Sequence, residues 1–441
     1  MAAFKVVGGV ELKGEIEPQG AKNEALQIVA SSVLVQNIKI VNCPNIADIR
    51  NLLLILENAG AKIKWELVPI LESQKNVLYI DTRDIKKEYF ESEEYFALSE
   101  KLRGSLMLMG PLLARYGVAY VPPVGGDKIG LRPVDTHIQG FIKLGAVLDG
   151  NKLTIDQNKT ISGEILLDDA SVTGTANIIM CAALLANGLT IYNAACETYI
   201  TQLCGALKSI GLNVLGEKSN RITLNNTKNQ NNFDEVVTHT ILPDFIEVAS
   251  FISLAMATRS ETVIKNAGVK SLGMTLKMFE KLGCKFEIVG DDIKVLKQDR
   301  YQIQKMYDGS MMKIACEPWP KVSPDILSVG IVAAVQCDGV VLFHEKMYEA
   351  RMFFVDKLIA MGAQIVLCDP HRVVVTGNNW KSKLRSRHMT SPDIRAGIAL
   401  LIAALGAEGE SVIDNIEQID RGYENIELRL AALGANIERI I

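Results

Sequence analysis

The chain has 441 residues, 48% of them hydrophobic, and 51 acidic against 47 basic side chains give a formal charge of −4. That length suits two or three domains with sizeable cores, and the even charge balance argues against a general polyanion-binding surface, so no nucleic-acid partner is expected. An anionic ligand has to be held by local clusters of base.

From the amino terminus, MAAFKVVGGVELKGE lacks the charged region, long apolar stretch and small-residue cleavage site of a secretory signal. The longest apolar run, Ala396 to Ala407, is too short to cross a hydrocarbon core about 30 Å thick, so no membrane association is expected. The eight cysteines form no CxxC pair, and most lie in apolar segments. They read as reduced thiols of a cytoplasmic protein.

Six segments repeat one form along the chain: LENAGAKI, FIKLGAVL, LKSIGLNV, FEKLGCKF, LIAMGAQI and LAALGANI. Each is an apolar helical pattern closed by a glycine (Gly60, Gly145, Gly211, Gly283, Gly362, Gly434) and followed by a short alternating strand, as at a helix C-cap feeding a strand. Upstream of each lies a small, apolar helix and a short strand such as KIVN, TIYN, VIKN, VLFH or VIDN. The glycines are spaced by 85, 66, 72, 79 and 72 residues, too irregular for a solenoid, so two compact domains of three repeats are expected. The polar stretch Glu217 to Thr238 is the expected linker or loop between them.

From the upstream strand to the closing glycine most copies take 17 to 19 residues, whereas the second takes 23, from Pro122 to Gly145. The insertion holds Gly125-Gly126-Asp127-Lys128-Ile129-Gly130. A tolerated surface loop is the plain reading. The double glycine, which lets backbone approach a ligand, and the carboxylate favour a mobile lid with a chemical role.

There is no GxxxxGK[ST], properly spaced GxGxxG, HExxH or GxSxG, and the five histidines show no metal-ligand spacing, so no metal and no cofactor are expected. Basic residues stand at element boundaries instead: Lys22, Arg132, Arg351, Arg395 and Arg421. Singly, each is most often a solvated charge. Together, guanidinium forks and an ammonium drawn from both halves of the chain would suit carboxylate and phosphate groups. Asp325, in SPDIL, sits where a helix N-cap is equally good chemistry, and for Asp393, in SPDIR, the cap is the better reading.

The motifs GAKNEAL (Gly20 to Leu26), GG-x-x-IG-x-RPVD-x-H (Gly125 to His137), SVTGT (Ser171 to Thr175), PD at Pro324-Asp325, PDIRAG (Pro392 to Gly397), IDRGYENIE and LGANIER run in order through essentially the whole chain. In these the chain resembles the UDP-N-acetylglucosamine 1-carboxyvinyltransferase family of enolpyruvyl transferases. The resemblance implies an inside-out α/β barrel fold in two domains, built from six βαβαββ-type repeats, three per domain. The expected boundaries are 22–237, carrying the lid loop 124–131, for the first domain, and 1–21 with 238–441 for the second.

It further implies transfer of enolpyruvyl from phosphoenolpyruvate to the 3-hydroxyl of UDP-N-acetylglucosamine, releasing phosphate; a monomer or weak oligomer is expected. By resemblance, Lys22 and Asn23 contact phosphoenolpyruvate, and Arg132, Arg395 and Arg421 hold its phosphate and carboxylate. Arg103, Arg132, Pro133, Val134, Asp135, Thr136, Asp325 and Met347 would contact the sugar nucleotide, with Arg351 near the reacting groups. Addition needs an acid and a base on opposite sides of the enol, and these roles fall to Asp127 and Asp325 respectively.

Four positions depart from the common pattern. Asp127 stands where many members carry the Cys that fosfomycin alkylates, so resistance to that antibiotic is expected. Cys196 and Phe245 replace arginines, and Asp169 replaces a lysine. Two alternatives stay open: the related 3-phosphoshikimate 1-carboxyvinyltransferase, and a silent paralogue that binds the sugar nucleotide or a partner without turnover.

Overall fold

A computed structural model describes residues 2–70, 73–123, 125–127, 129–227 and 235–440. The described strands form six separate sheets, one for each repeat. In five of them the order is the same: a parallel pair, then two antiparallel neighbours, as in Ile161–Leu166, Ala186–Tyr192, Arg221–Asn226 and Leu212–Leu215. The exception is the second copy, with three described strands, Val118–Tyr120, Lys152–Thr154 and Val147–Asp149. Where the third, fifth and sixth copies carry their parallel strand ahead of the first helix, the second has the helix Glu93–Ser99 and the turn Arg103–Leu108. Tyr95 is fully buried there, with the rings of Phe90 and Phe96 5.3 and 5.4 Å away.

Each repeat holds two helices of opposite character. The first of each is mostly apolar and largely buried, and Phe245–Ala257, Leu327–Val335 and Ile394–Gly406 are buried along their whole length and pack on one another. Fully burying one Leu, Ile or Phe contributes about 1.5–3 kcal/mol. The second is one-sided: in Met274–Lys281 only Thr275, Met278 and Phe279 are buried. Within each unit helices thus fill the centre while sheets lie outside, the inside-out arrangement.

The six closing glycines all adopt positive φ, from 85° at Gly211 to 113° at Gly60. A glycine there ends the helix and turns the chain into its strand without a Cβ penalty. Asn42, Asn193, Asn266 and Asn415, which end four of the upstream strands, are left-handed too, with φ of 60°, 56°, 48° and 58°. Three of them donate Nδ2 to the carbonyl just past the adjoining parallel strand: Asn42 to Ile241, Asn193 to Leu167, Asn415 to Ser391. The repeat therefore carries its own clasp between neighbouring strands.

The chain divides into two compact units, one of Gly20–Gly126 with Arg132–Leu242, the other of Met1–Gln19, Asp127–Leu131 and Pro243–Ile441. The second crossing falls at Leu242–Pro243 instead of residue 238, because Val237–Thr240 pairs in parallel with Asn37–Val41 in the first repeat's sheet. The polar stretch Glu217 to Thr238 is not simply a linker. Arg221–Asn226 and the start of Val237–Thr240 are sheet strands, and 228–234 lie outside the described residues. Likewise Ala3–Gly8 pairs with Gly409–Asp414 and Asn436–Ile440 in the last repeat's sheet. The tip of the loop, Asp127–Leu131, groups with the carboxy-terminal repeats, apart from the first unit in which it was expected.

The two crossings are tied alike. Glu24, third residue of helix Lys22–Val35, accepts from Leu242 N and lies 3.0 Å from His239 Nε2. Glu247, third residue of helix Phe245–Ala257, accepts from Gln19 N at 2.6 Å and from Arg429. Both acids occupy a first helical turn, where the helix dipole favours negative charge.

The closing glycines differ in surroundings. A Cβ on Gly283 would lie 2.5 Å from the backbone of Gln302, while one on Gly145 would meet nothing within 4 Å. Gly145→Ala is expected to cost about 1–2 kcal/mol from left-handed strain alone. Gly283→Ala adds a backbone clash, and the larger loss should show as the lower midpoint in urea unfolding.

Candidate active site

In the carboxy-proximal unit the first helix of each repeat is entered through Pro-Asp: Pro243-Asp244, Pro324-Asp325 and Pro392-Asp393. Two of these aspartates cap their helices. Asp244 accepts from Ile246 N at 2.9 Å, and Asp393 accepts from Arg395 N and Ala396 N at 2.8 and 3.0 Å. Asp325 does not. Ser323 takes over as the cap, accepting from Asp325 N, and the Asp325 carboxylate receives Arg351 Nη2 at 3.0 Å and Arg395 Nη2 at 3.3 Å.

Arg351 and Arg395 are both about 95% buried, so these guanidiniums are held away from water. Burial disfavours the Arg351 charge, but Asp325, Asp393 and Glu345 more than offset it and raise its proton affinity above the ordinary arginine value. Burial pushes the Asp393 carboxyl up, against the pull of Arg351, and Asp127 adds to the upward push. Asp127, on the inserted loop, accepts from Arg421 Nη1 at 2.5 Å, and the same nitrogen lies 2.8 Å from Gln418 Oε1. The loop continues onto the segment after Met347: Leu131 N donates to Glu349 Oε2 and Ala350 N to the Ile129 carbonyl. Gly130, with φ of 130°, leaves room for Glu349, whose carboxylate would lie 2.1 Å from a Cβ there.

Met347 N donates to Glu345 Oε1, which fixes that residue's backbone. Of the expected residues in this unit, Asp325, Arg351 and Arg395 thus form one group and Asp127 with Arg421 another.

In the amino-proximal unit Lys22 is the first residue of its helix, a position where the dipole disfavours a cation, and it is buried against Asp48 in an ion pair. Asn23 follows it, half-buried. Arg103 donates to the Pro133 carbonyl at 3.3 Å. A Cβ on Gly126, with φ of 109°, would stand 3.0 Å from Arg103 Cβ and 3.6 Å from Arg132 Nη1, so the start of the loop runs against both arginines. Val134 caps helix Asp135–Lys143 without a side-chain bond, Asp135 is exposed, and Thr136 Oγ1 donates to Asp168 Oδ1 at 2.8 Å.

His137 behind them is buried, with Nδ1 accepting from Asn177 Nδ2 at 2.9 Å and Nε2 lying 3.1 Å from Thr173 Oγ1. That network assigns the proton to Nε2. Burial first, then the Arg103 charge, hold its pKa down at about 4.

The departures from the common pattern are distributed. Asp169 is exposed and donates its N–H to Asp168, Phe245 is buried with its ring 6.0 Å from that of Trp319, and Cys196 is half-buried, its thiol pushed up by burial and by Glu197. Asp48 and Glu345 were missed in the sequence, where each looks like an ordinary acid at an element end. Among the described residues no group of three or more His, Cys, Asp and Glu could hold a metal ion, and no helix is long and apolar enough to cross a membrane.

Such a fold, six sheets around buried helices in two units, is that of the enolpyruvyl transferases. It matches the enolpyruvyl transferase NikO from Streptomyces tendae with a TM-score of 0.82 at 19% identity, covering 100% of this chain and 99% of that one. EPSP synthase from Acinetobacter baumannii matches at 0.66 and 16% over both full chains. A family model, EPSP synthase (3-phosphoshikimate 1-carboxyvinyltransferase), matches residues 6–430, and the chain belongs to that family. Its relatives include proteins named UDP-N-acetylglucosamine 1-carboxyvinyltransferase from Bacteroides fragilis, 49% identical over the full length of both chains, and from Bradyrhizobium diazoefficiens, 42% identical over 99% of this chain and 98% of that one.

Two measurements separate the caps from the charge cluster. Asp393→Ala removes a cap bonded to two amides and is expected to lower unfolding free energy by about 1 kcal/mol, whereas Asp325→Ala leaves two buried guanidiniums without their shared carboxylate and is expected to cost about 3–5 kcal/mol although its helix keeps Ser323. His137 is neutral when folded and takes up a proton on unfolding below its ordinary 6.5. The unfolded state then binds the extra proton, so stability is full above about 6.5 and falls as pH drops towards about 4, by about 1.4 kcal/mol per unit at most. Replacing His137 with Asn should flatten that slope in unfolding curves taken between pH 6.5 and 4; an unchanged slope would remove His137 as its source.

Proposed function

We propose that the protein transfers enolpyruvyl from phosphoenolpyruvate to the 3-hydroxyl of UDP-N-acetylglucosamine, releasing inorganic phosphate in the first committed step of peptidoglycan precursor synthesis. One observation carries the reading: alone among three equivalent Pro-Asp turns, Asp325 is released from capping and turned onto two buried arginines. Such a carboxylate is suited to take a proton from an attacking hydroxyl, and the arginines to meet the charge that grows on phosphate and carboxylate. The names of relatives 38% to 49% identical over essentially the whole chain support this acceptor over a shikimate phosphate.

In the proposed cycle the hydroxyl oxygen bonds to C2 of the enol while its proton passes to Asp325, and Asp127 delivers a proton to C3. In the second half a C3 proton returns, the C2–O bond to phosphate breaks, and the double bond re-forms. Lys22, Arg132, Arg395 and Arg421 are assigned to phosphoenolpyruvate, with Asn23. The sugar nucleotide is assigned to Arg103, the run Arg132 to Thr136, Asp325 and Met347, with Arg351 beside the reacting groups. Because Asp127 already meets an Arg421 nitrogen as a carboxylate, the substrate anion must take that guanidinium over and the freed carboxylate must take up a proton from solvent before it can act as an acid.

The test is whether phosphoenolpyruvate and UDP-N-acetylglucosamine together yield free phosphate and a sugar nucleotide heavier by one enolpyruvyl group. Phosphate release with shikimate 3-phosphate instead, or with neither acceptor, would overturn the proposal. Asp127→Asn should lower kcat by about 100-fold or more. Wild type should keep its activity through a timed exposure to fosfomycin, and Asp127→Cys should lose it with a covalent mass increase on the new thiol.

A further inference from the structure

Glu345 closes the strand Asp338–His344 and is wholly buried. Its backbone is fixed on both sides by one residue: its N–H donates to the His371 carbonyl at 2.7 Å, and His371 Nδ1 donates to its carbonyl at 2.8 Å. One carboxylate oxygen, Oε1, receives three donors, Met347 N at 2.8 Å, Cys316 Sγ at 2.9 Å and Tyr348 N at 3.2 Å. The other, Oε2, has no hydrogen-bond partner among the described residues and faces Arg351 Nε at 4.0 Å.

The guanidinium across that gap is equally unusual. Nη2 of Arg351 is bonded to Asp325, while Nε and Nη1 are buried with no hydrogen-bond partner among the described residues. The Tyr348 ring lies 5.3 Å from the guanidinium carbon. Charge attraction falls only as the inverse of distance, whereas a hydrogen bond is lost beyond about 3.5 Å. A carboxylate held at 4.0 Å therefore pulls on the guanidinium without consuming its donors. The three bonds on Oε1 are what hold it at that distance.

We infer that Glu345 is the positioning residue of the site: a buried counter-charge that anchors the Met347 and Tyr348 amides and holds Arg351 in place with two donors kept open for the reacting anion. The inference rests on the proposed reaction only in assigning those donors to substrate. Without the Glu345 charge, Arg351 has Asp325 as its direct carboxylate partner and swings towards it, closing its own donors and occupying the oxygens needed to accept a proton.

Glu345→Gln tests this by two readouts. Turnover should fall by about tenfold or more, with KM for both substrates within about twofold, because a misplaced guanidinium affects the reaction more than ground-state binding. Independently of turnover, modification of Arg351 by phenylglyoxal, followed by peptide mass, should become slower in the ligand-free protein, because the donors left open in wild type are then taken up by Asp325. Glu345→Asp, which keeps the charge one methylene further back, should fall between wild type and Gln in both. Wild-type kcat and wild-type labelling in Glu345→Gln would overturn the inference, as would Glu345→Asp behaving like Gln. Should wild type itself fail to release phosphate, the proposed reaction is lost, while the labelling rates still decide whether Glu345 holds Arg351.

Discussion

The candidate site depends on one carboxylate shared by two buried guanidiniums. Taking an arginine out of water costs several kcal/mol unless its charge is met, and Arg351 and Arg395 meet theirs partly on Asp325. That is possible only because Ser323 satisfies the helix end that Asp325 would otherwise have to cap. A two-residue shift of the capping job therefore leaves the Asp325 carboxylate to meet two buried charges instead of a helix end. Asp244 and Asp393, at matching turns, show what the unshifted arrangement looks like.

The same economy recurs at Lys22. A cation in a first helical turn opposes the dipole by about 0.3–1 kcal/mol, and Arg395, second residue of its helix, does the same. Each is compensated by a carboxylate from another element, Asp48 for Lys22 and Asp325 for Arg395. The helices bearing these two exceptions are buried along nearly their whole length, so the side chains start from rigid supports. The buried first-turn acids Glu24 and Glu247 add stiffness by gripping the backbone at the two crossings.

What the sequence disclosed was local. Six glycine-closed helices could be read because a C-cap glycine, its preceding helical pattern and its following strand lie within ten residues, and all six glycines do take the left-handed conformation. The crossing near Leu242 was misplaced because Val237–Thr240 is assigned by its partner, Asn37–Val41, some 200 residues away. SPDIL and SPDIR are nearly identical, and nothing inside either says which aspartate caps; the decision belongs to Arg351 and Arg395, brought up by folding. Asp48 and Glu345 were invisible for the same reason. Their significance lies in a partner's position and leaves no mark on their own surroundings in the chain.

The loop residue Asp127 shows how one substitution alters more than a nucleophile. A thiol at this place has little to offer a guanidinium, whereas a carboxylate forms a short, charge-assisted bond with Arg421. The loop tip is thereby tied to the carboxy-proximal repeats by charge as well as by the Ile129 and Leu131 backbone bonds. Under the proposed assignment Arg421 has to exchange this internal anion for the substrate's, and phosphoenolpyruvate, carrying two anionic groups to the carboxylate's one, has the stronger claim. Release of Asp127 would then follow from substrate binding itself, and the freed carboxylate, taking up a proton from solvent beside the substrate's own anionic groups, becomes an acid when there is an enol to protonate.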